Sequence, residues 1–168
     1  MAMQQSLART LCSLTSAPWQ HRWLNDKAMH TLESVLAEAE RGHSGEIRLL
    51  IERHLPLSVA WHQDVRARAE DCFAHLRVWD TAARSGVLVY VNLAQRRLEI
   101  VADRGISAVV TQARWQALCD AALDAMRSGQ YVRALSQLLE NIGAEMRTHY
   151  GIPDDPHGNE LPNRIETR

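Results

Sequence analysis

Residues 86–105 read GVLVYVNLAQRRLEIVADRG, and they carry the strongest local signal of secondary structure in the chain. Residues 86–91 and 98–102 are rich in β-branched and aromatic or aliphatic side chains, and a polar turn at residues 95–97 separates them. This pattern predicts two adjacent antiparallel strands, joined as a hairpin at roughly residues 86–102. An acidic, glycine-containing turn, Asp103-Arg104-Gly105, directly follows the second strand and is therefore expected at one edge of a sheet.

Upstream of the hairpin, the sequence predicts two helices and one strand. Apolar residues recur at helical spacing after Asn25 or Asp26, either of which can cap the helix, and Gly42 ends it. The alternation in residues 46–52 (EIRLLIE) predicts a strand covered on both faces. A second helical pattern over residues 64–78 connects this strand to the hairpin.

Downstream of the hairpin, two helices are predicted at about residues 109–126 and 132–150, with the helix-stop pair Ser128-Gly129 between them. The tail from Pro153 is rich in Pro, Asp, Asn and Gly, which favours an extended or loosely ordered arm. Residues 3–14 carry the apolar stripe of a short amphipathic helix, which would dock on the domain, on a partner or on a membrane surface.

The length and composition indicate one soluble α/β domain. The chain has 168 residues, of which 46% are hydrophobic and 23% are charged, as in ordinary globular proteins. A formal net charge of -1 provides no overall field that would attract nucleic acid. The sequence also lacks the continuous apolar run of a signal peptide or a transmembrane segment, so we expect no transmembrane segment of its own.

The cysteines and histidines do not form a recognisable metal-binding motif. Cys72 and Cys119 fall in helical patterns beside apolar residues, so we expect buried free thiols and a cytoplasmic location. The eight histidines are scattered without HxxxH or HExxH spacing. Because GxSxG, P-loop and GxGxxG motifs are also missing, no motif supports a serine hydrolase, a nucleoside triphosphatase or a dinucleotide-binding enzyme.

Acidic and basic side chains cluster where the predicted strands begin and end. Because antiparallel strands reverse direction, the turns before and after the hairpin share one edge, and Asp80, Arg84 and Asp103 are candidate neighbours. Calcium and magnesium prefer carboxylate and carbonyl oxygens, whereas an arginine there could hold a phosphate. Trp79 would form a wall of such a site. The structural alternative is that Asp80 caps a turn, Asp103 pairs with an arginine, and Gly105 provides a special backbone angle.

Several short motifs follow one another in order along the chain. They are SGEIR at 44–48, VWDT at 78–81, SGVLVYV at 85–91, EIVADRGI at 99–106, Trp115, SGQY at 128–131, IG at 142–143 and NELP at 159–162. This series resembles the TPM domain family, which includes thylakoid lumen proteins of photosystem II maintenance and many bacterial proteins. The similarity spans roughly residues 28–163, and the NELP-type tail resembles a bacterial cytosolic-type branch.

The resemblance implies a three-layer α/β/α sandwich with a short mixed central sheet. It also implies divalent-cation binding, of calcium or magnesium, in loops at one sheet edge and, for some members, weak acid phosphatase activity. The candidate metal ligands carried onto this chain are Asp80, Asp103 and, less directly, Glu46. Exported members have a signal sequence, usually a membrane span, and often a Gly-x-Gly-Leu-Glu turn after the hairpin, where this chain has Asp-Arg-Gly-Ile at 103–106.

The chain is thus expected to comprise an N-terminal amphipathic helix and connector (1–24), a TPM domain (25–152) and a flexible C-terminal tail (153–168). Gly86 and Gly105 would serve the turns of the domain.

Two functions from different classes are compatible with these residues. The first is a non-catalytic module that binds a divalent cation weakly and serves as an accessory or partner-binding factor, for a membrane-associated protein assembly. The second is a metal-assisted phosphomonoesterase, in which Asp80 and Asp103 hold the cation and Arg84 or Arg104 steadies the phosphate.

Overall fold

The computed structural model describes residues 22–56, 59, 62–152 and 164–168. The elements in chain order are α1 (Asp26–Ala39), β1 (Ile47–Glu52), α2 (Val65–His75), β2 (Val87–Asn92), β3 (Arg97–Ala102), α3 (Arg104–Ser107), α4 (Gln112–Arg127), α5 (Tyr131–Tyr150) and β4 (Glu166–Thr167). This order agrees with the sequence prediction except for two short elements, α3 and β4.

The central sheet is mixed, as predicted. Its strand order is β3-β2-β1-β4. β1 runs parallel to β2 and to β4, whereas β2 and β3 form the predicted antiparallel hairpin, in which Val87 lies opposite Ala102. Every residue of β1 and β2 is buried, as expected for strands that are covered on both faces.

Helices cover both faces of this sheet. α1, α4 and α5 pack on the face that carries Leu49 and Val89, and together they enclose the larger hydrophobic core. α2 packs on the opposite face, where Leu50 and Tyr90 meet Cys72 in a smaller core. The three-layer α/β/α sandwich is therefore confirmed.

Local side-chain contacts set the ends of the helices. α1 begins after Asn25, whose Oδ1 accepts the N–H of Ala28 at 3.0 Å. α2 begins after Asp64, whose Oδ1 accepts the N–H of Ala67 at 2.8 Å. Each cap of this kind typically contributes about 1 kcal/mol. Gly129 has a φ of +77° and allows the tight connection between α4 and α5.

The end of the chain differs from the predicted flexible tail. Glu166–Thr167 forms β4 beside β1, and the N–H of Arg168 donates to the carbonyl of Ile51 at 3.0 Å. Arg48 Nη2 lies 2.8 Å from Glu166 Oε1. A two-residue strand has no periodic pattern of its own, and it is ordered here because the edge of β1 supplies hydrogen-bond partners.

The predicted helix at residues 3–14 lies outside the described residues, as does the tail segment 153–163. Among the helices that the structure describes, none combines the length and the apolar character needed to cross a membrane. Cys72 and Cys119 are free and buried, as predicted, and burial raises the pKa of Cys119 to about 12.

Candidate functional site

Asp103 lies where β3 ends, at the sheet edge where β2 begins. Its N–H donates to the carbonyl of Gly86 at 2.9 Å and extends the hairpin pairing. Its Oδ1 accepts the N–H of Arg104 at 2.7 Å. The predicted turn is therefore one turn of helix, α3, with Asp103 as its N-cap.

Gly86 and Gly105 are explained by close backbone contacts. Neither belongs to the described residues with positive φ, so the alternative that Gly105 provides a special backbone angle is wrong. A Cβ on Gly105 would lie 2.6 Å from the carbonyl oxygen of Arg84, and a Cβ on Gly86 would lie 1.8 Å from that of Val78. The N–H of Gly105 donates to the Arg84 carbonyl at 2.9 Å, which holds the loop before β2 against α3.

The second carboxylate oxygen of Asp103 has an unusual environment. Asp103 is 9% exposed, and its Oδ2 is buried without a hydrogen bond to any described residue. Burial removes water from this oxygen, and an unpaired buried carboxylate is costly unless another group compensates its charge. The environment of Oδ2 therefore fits a bound cation.

Tyr150, the last residue of α5, lies beside this carboxylate. Its hydroxyl is 3.0 Å from the position that a Cβ on Gly105 would occupy. Burial, and then the negative charge of Asp103, raise the pKa of the Tyr150 phenol. No sequence pattern indicates that Tyr150 belongs to this site, because its only signal is its position at the end of a predicted helix.

The other predicted site residues lie before β1, before β2 and on α3. Glu46 is buried just before β1, and its carbonyl accepts the N–H of Val87 at 2.8 Å. Asp80 and Arg84 are exposed in the loop before β2, and Arg104 is exposed on α3. Among the described residues, no three His, Cys, Asp or Glu side chains are grouped so that they could hold a metal ion. Asp103 is the predicted ligand for which the structure shows a buried carboxylate oxygen without a hydrogen-bond partner among the described residues.

A buried polar cluster lies at the opposite end of the sheet, where β1 and β2 end. Glu52 is 1% exposed, and its carboxylate accepts from Arg68 Nη2 at 2.8 Å and from Arg68 Nε at 3.3 Å. The hydroxyl of Tyr90 also donates to Glu52, and Asn92 Nδ2 donates to the Tyr90 oxygen at 3.3 Å. The sequence did not indicate this cluster, because its members come from β1, α2 and β2.

The protonation states in this cluster match its hydrogen bonds. The hydrogen bond to Glu52 raises the pKa of Arg68 above its ordinary value, and burial raises the pKa of Tyr90. Arg68 therefore stays a cation and Tyr90 stays a neutral donor. With both of its carboxylate oxygens bonded, Glu52 stabilises the packing of α2 on the sheet.

Comparisons with known proteins agree with this architecture. The family model of the TPM domain matches residues 20–145. The NMR structure of BA42 from the psychrophilic bacterium Bizionia argentinensis is 26% identical, with a TM-score of 0.75, and the match covers 86% of this chain and 94% of that chain.

A second structure shows the same fold at lower identity. The N-terminal domain of a protein from P. gingivalis, solved by NMR, is 14% identical with a TM-score of 0.61, over 79% of this chain and 84% of that chain. No curated protein gives a significant match. Since the family model covers well over half of the sequence, this chain belongs to the TPM domain family.

Proposed function

We propose that this TPM domain is a weak divalent-cation-binding module, for calcium or magnesium, that serves as an accessory or partner-binding factor. The observation that carries the proposal is the buried Oδ2 of Asp103, which has no hydrogen-bond partner among the described residues. Both cations bind carboxylate oxygens, and a cation there would neutralise the buried charge.

Asp103 would provide the central ligand of this site. The Arg104 N–H holds its other oxygen at 2.7 Å, which fixes the orientation of the carboxylate. The exposed Asp80, in the loop before β2, and the hydroxyl of Tyr150, which lies beside Gly105, would be candidates for further oxygen ligands. Calcium takes about six to eight oxygens, so main-chain carbonyls and water would complete the set. A site with so few carboxylates is expected to bind weakly.

Exposed apolar side chains near this edge support the partner-binding part of the proposal. Trp79 is 50% exposed and is the neighbour of Asp80 in sequence, and Val109 is 47% exposed just beyond α3. Tryptophan is enriched among the residues that dominate protein interfaces. The family resemblance suggests a membrane-associated protein assembly as the partner.

Titration of the full chain with calcium chloride or magnesium chloride, followed by amide NMR, tests the cation site. We expect the amides of Arg104 and Gly105 to shift, because Asp103 contacts this turn. Asp103→Asn keeps an oxygen that can cap α3 but removes the charge, and it should abolish the shifts.

Asp64→Asn is the matched control, because Asp64 is also the N-cap of a helix, through the N–H of Ala67, but is exposed. This variant should titrate like the wild type. Absence of shifts in the wild type, or an unchanged titration of Asp103→Asn, would contradict the cation site.

The partner-binding part needs its own test. A membrane-associated protein that co-purifies with the wild type in calcium should be lost with Trp79→Ser, which leaves Asp103 intact. Retention of that protein by Trp79→Ser would show that Trp79 is not part of the contact surface.

The exposed guanidinium groups of Arg84 and Arg104 favour a second candidate, a metal-assisted phosphomonoesterase of low activity. The carbonyl of Arg84 accepts the N–H of Gly105, and Arg104 is the residue before Gly105. Both arginines therefore lie close to the turn that contains Asp103. A bound cation would supply Lewis-acid activation of water, and the arginines would hold the phosphate.

Hydrolysis of p-nitrophenyl phosphate separates the two candidates. Turnover that disappears in Asp103→Asn and falls in Arg104→Gln, while Asp64→Asn is unaffected, would support the phosphomonoesterase. Turnover that is unchanged in Asp103→Asn would arise from a contaminant.

A further inference from the structure

A cavity of about 460 Å³ opens at the hairpin end of the sheet, on the face covered by α4 and α5. Its lining comes from the end of β2, the hairpin turn, the last part of α4 and the start of α5. The six residues of β2 rise about 17 Å, at roughly 3.3 Å per residue, between this cavity and the Asp103 edge. The cavity is therefore separate from the proposed cation site.

The floor of the cavity is apolar. Leu93 and Met126 are 7% and 8% exposed and belong to the larger core, and the partly buried Leu123 lies against the same core. Pockets for small ligands usually have volumes of about 300–1,000 Å³ and mostly apolar walls with a few polar groups. The volume lies in this range. The apolar floor would contact the apolar part of a small molecule, whereas about half of the lining residues are polar.

One wall of the cavity is a rigid aromatic ring. Tyr131 stacks on Trp23 with ring centroids 4.9 Å apart and an angle of 4° between the planes. Tyr131 is also the first residue of α5, and Gln130 makes no side-chain hydrogen bond that would cap this helix. The positive end of the α5 dipole therefore lies at the same wall.

The rim of the cavity is positively charged. Arg96, Arg97 and Arg127 contribute to the lining, and no acidic residue does, although the chain has a net charge of -1. Arg127 is paired with Asp124, and Arg97 lies 3.7 Å from a carboxylate oxygen of Glu99. Within the described residues, Arg96 makes no ion pair. Its guanidinium group is therefore available for a ligand.

We infer that this cavity binds a small organic anion. An apolar ring or short chain would lie on the floor formed by Leu93 and Met126, and an oxyanion head group would bind Arg96 and Arg97. Guanidinium groups form paired, charge-assisted hydrogen bonds with carboxylates and phosphates, which explains the preference for such a head group. This site does not depend on cation binding at Asp103.

Binding of 1-naphthoate to the full chain, followed by NMR of the methionine methyl groups, tests the inference. The Met126 methyl signal should shift and saturate, because Met126 forms part of the floor. Neutral 1-naphthamide keeps the ring and inorganic phosphate lacks it. The affinity for each of them should be lower than that for 1-naphthoate by a factor of about ten or more. No shift of Met126, or equal affinity for 1-naphthamide, would overturn the inference.

Two arginine variants provide the matched comparison. Arg96 and Arg77 are both exposed, and their φ angles are 52° and 53°. Glutamine therefore removes one positive charge at either position, and the effect of the substitution on the backbone should be the same. Arg96→Gln should weaken 1-naphthoate binding about five- to tenfold, and Arg77→Gln should leave it unchanged. Arg127→Gln is a second test at the rim and should also weaken binding. Equal affinities of Arg96→Gln, Arg127→Gln and Arg77→Gln would overturn the assignment.

Discussion

Two buried carboxylates at opposite ends of the sheet have different surroundings. Glu52 is 1% exposed, and Arg68 and the Tyr90 hydroxyl bond both of its oxygens. Asp103 is 9% exposed, and only one of its oxygens is bonded, to the N–H of Arg104. Both side chains lie in the last position of a strand or directly after it.

The difference is whether the protein itself supplies the hydrogen-bond partners of a buried carboxylate. A buried charge is tolerated when the protein supplies its partners, and it destabilises the fold when one partner is removed. Glu52 has its partners within the protein. Asp103 has an oxygen that the described protein groups leave unpaired, and this oxygen is the basis of the proposed cation site.

Replacement of Arg68 should have the largest effect, because it leaves the buried Glu52 carboxylate without its cation. We expect Arg68→Met to lower the free energy of unfolding by about 3–5 kcal/mol, measured by urea denaturation. Arg41→Met is the control, since Arg41 pairs with Glu38 at 2.8 Å with both side chains more than two-thirds exposed. That variant should lose less than about 1 kcal/mol. Equal losses would show that the Glu52 cluster is not important for stability.

Tyr90→Phe should have the next largest effect. The hydroxyl of Tyr90 donates to Glu52 and accepts from Asn92, and both contacts are buried. We expect a loss of about 1–3 kcal/mol in the free energy of unfolding. Tyr150→Phe, measured with a chelator present, should change it by less than about 0.5 kcal/mol. If Tyr150→Phe lost more unfolding free energy than Tyr90→Phe, the Tyr150 hydroxyl would be the more important of the two for stability, contrary to our expectation.

Alkaline pH should remove the stability that the hydroxyl of Tyr90 contributes. Burial raises the pKa of Tyr90 from 10.0, so above pH 10 the phenol ionises in the unfolded chain before it does in the folded protein. Stability then falls as pH rises, by up to about 1.4 kcal/mol per pH unit for one such group. The stability difference between wild type and Tyr90→Phe should therefore shrink above pH 10.

Cys119 adds a similar decline in both proteins, because its pKa is raised from 9.0 to about 12. Urea denaturation of wild type and Tyr90→Phe across pH 9 to 12 separates the two contributions. A constant stability difference across this range would contradict the assignment to Tyr90.

Asp103→Asn should have the smallest effect, and its sign should depend on the cation. With a chelator present, removal of an unpaired buried charge should leave stability unchanged or raise it by up to about 1 kcal/mol. With calcium present, the wild type should become the more stable protein, which thermal melting can measure. If Asp103→Asn were less stable than the wild type in the presence of the chelator, the carboxylate would have to be paired within the protein.

The sequence predicted the elements whose causes are local. Asn25 and Asp64 each cap a helix through a residue three positions ahead, and the hairpin strands follow from their own side chains. The one-turn helix α3 and the two-residue strand β4 were missed, because neither is long enough to show a periodic pattern.

The candidate site residues stay predictions, but one contact between their segments is present. The N–H of Gly105 donates to the carbonyl of Arg84 at 2.9 Å, so the loop before β2 meets the turn after β3, as the reversal of the hairpin predicts. The neighbour Tyr150 was not predictable, because α5 brings it to Gly105 from another part of the chain. The cavity beside Arg96 likewise needs the ends of α4 and α5 to meet the hairpin.

The order of the main helices and strands and the position of the hairpin follow from the amino-acid sequence, because they depend on residues close together in the chain. Which buried carboxylate is paired follows instead from the packing of distant segments. Glu52 meets Arg68 from 16 positions away and Tyr90 from 38 positions away. Within the described part of the chain, the Asp103 carboxylate accepts a hydrogen bond only from the N–H next to it. Pairing depends on which side chains the packed layers bring together, and a local pattern does not contain that information.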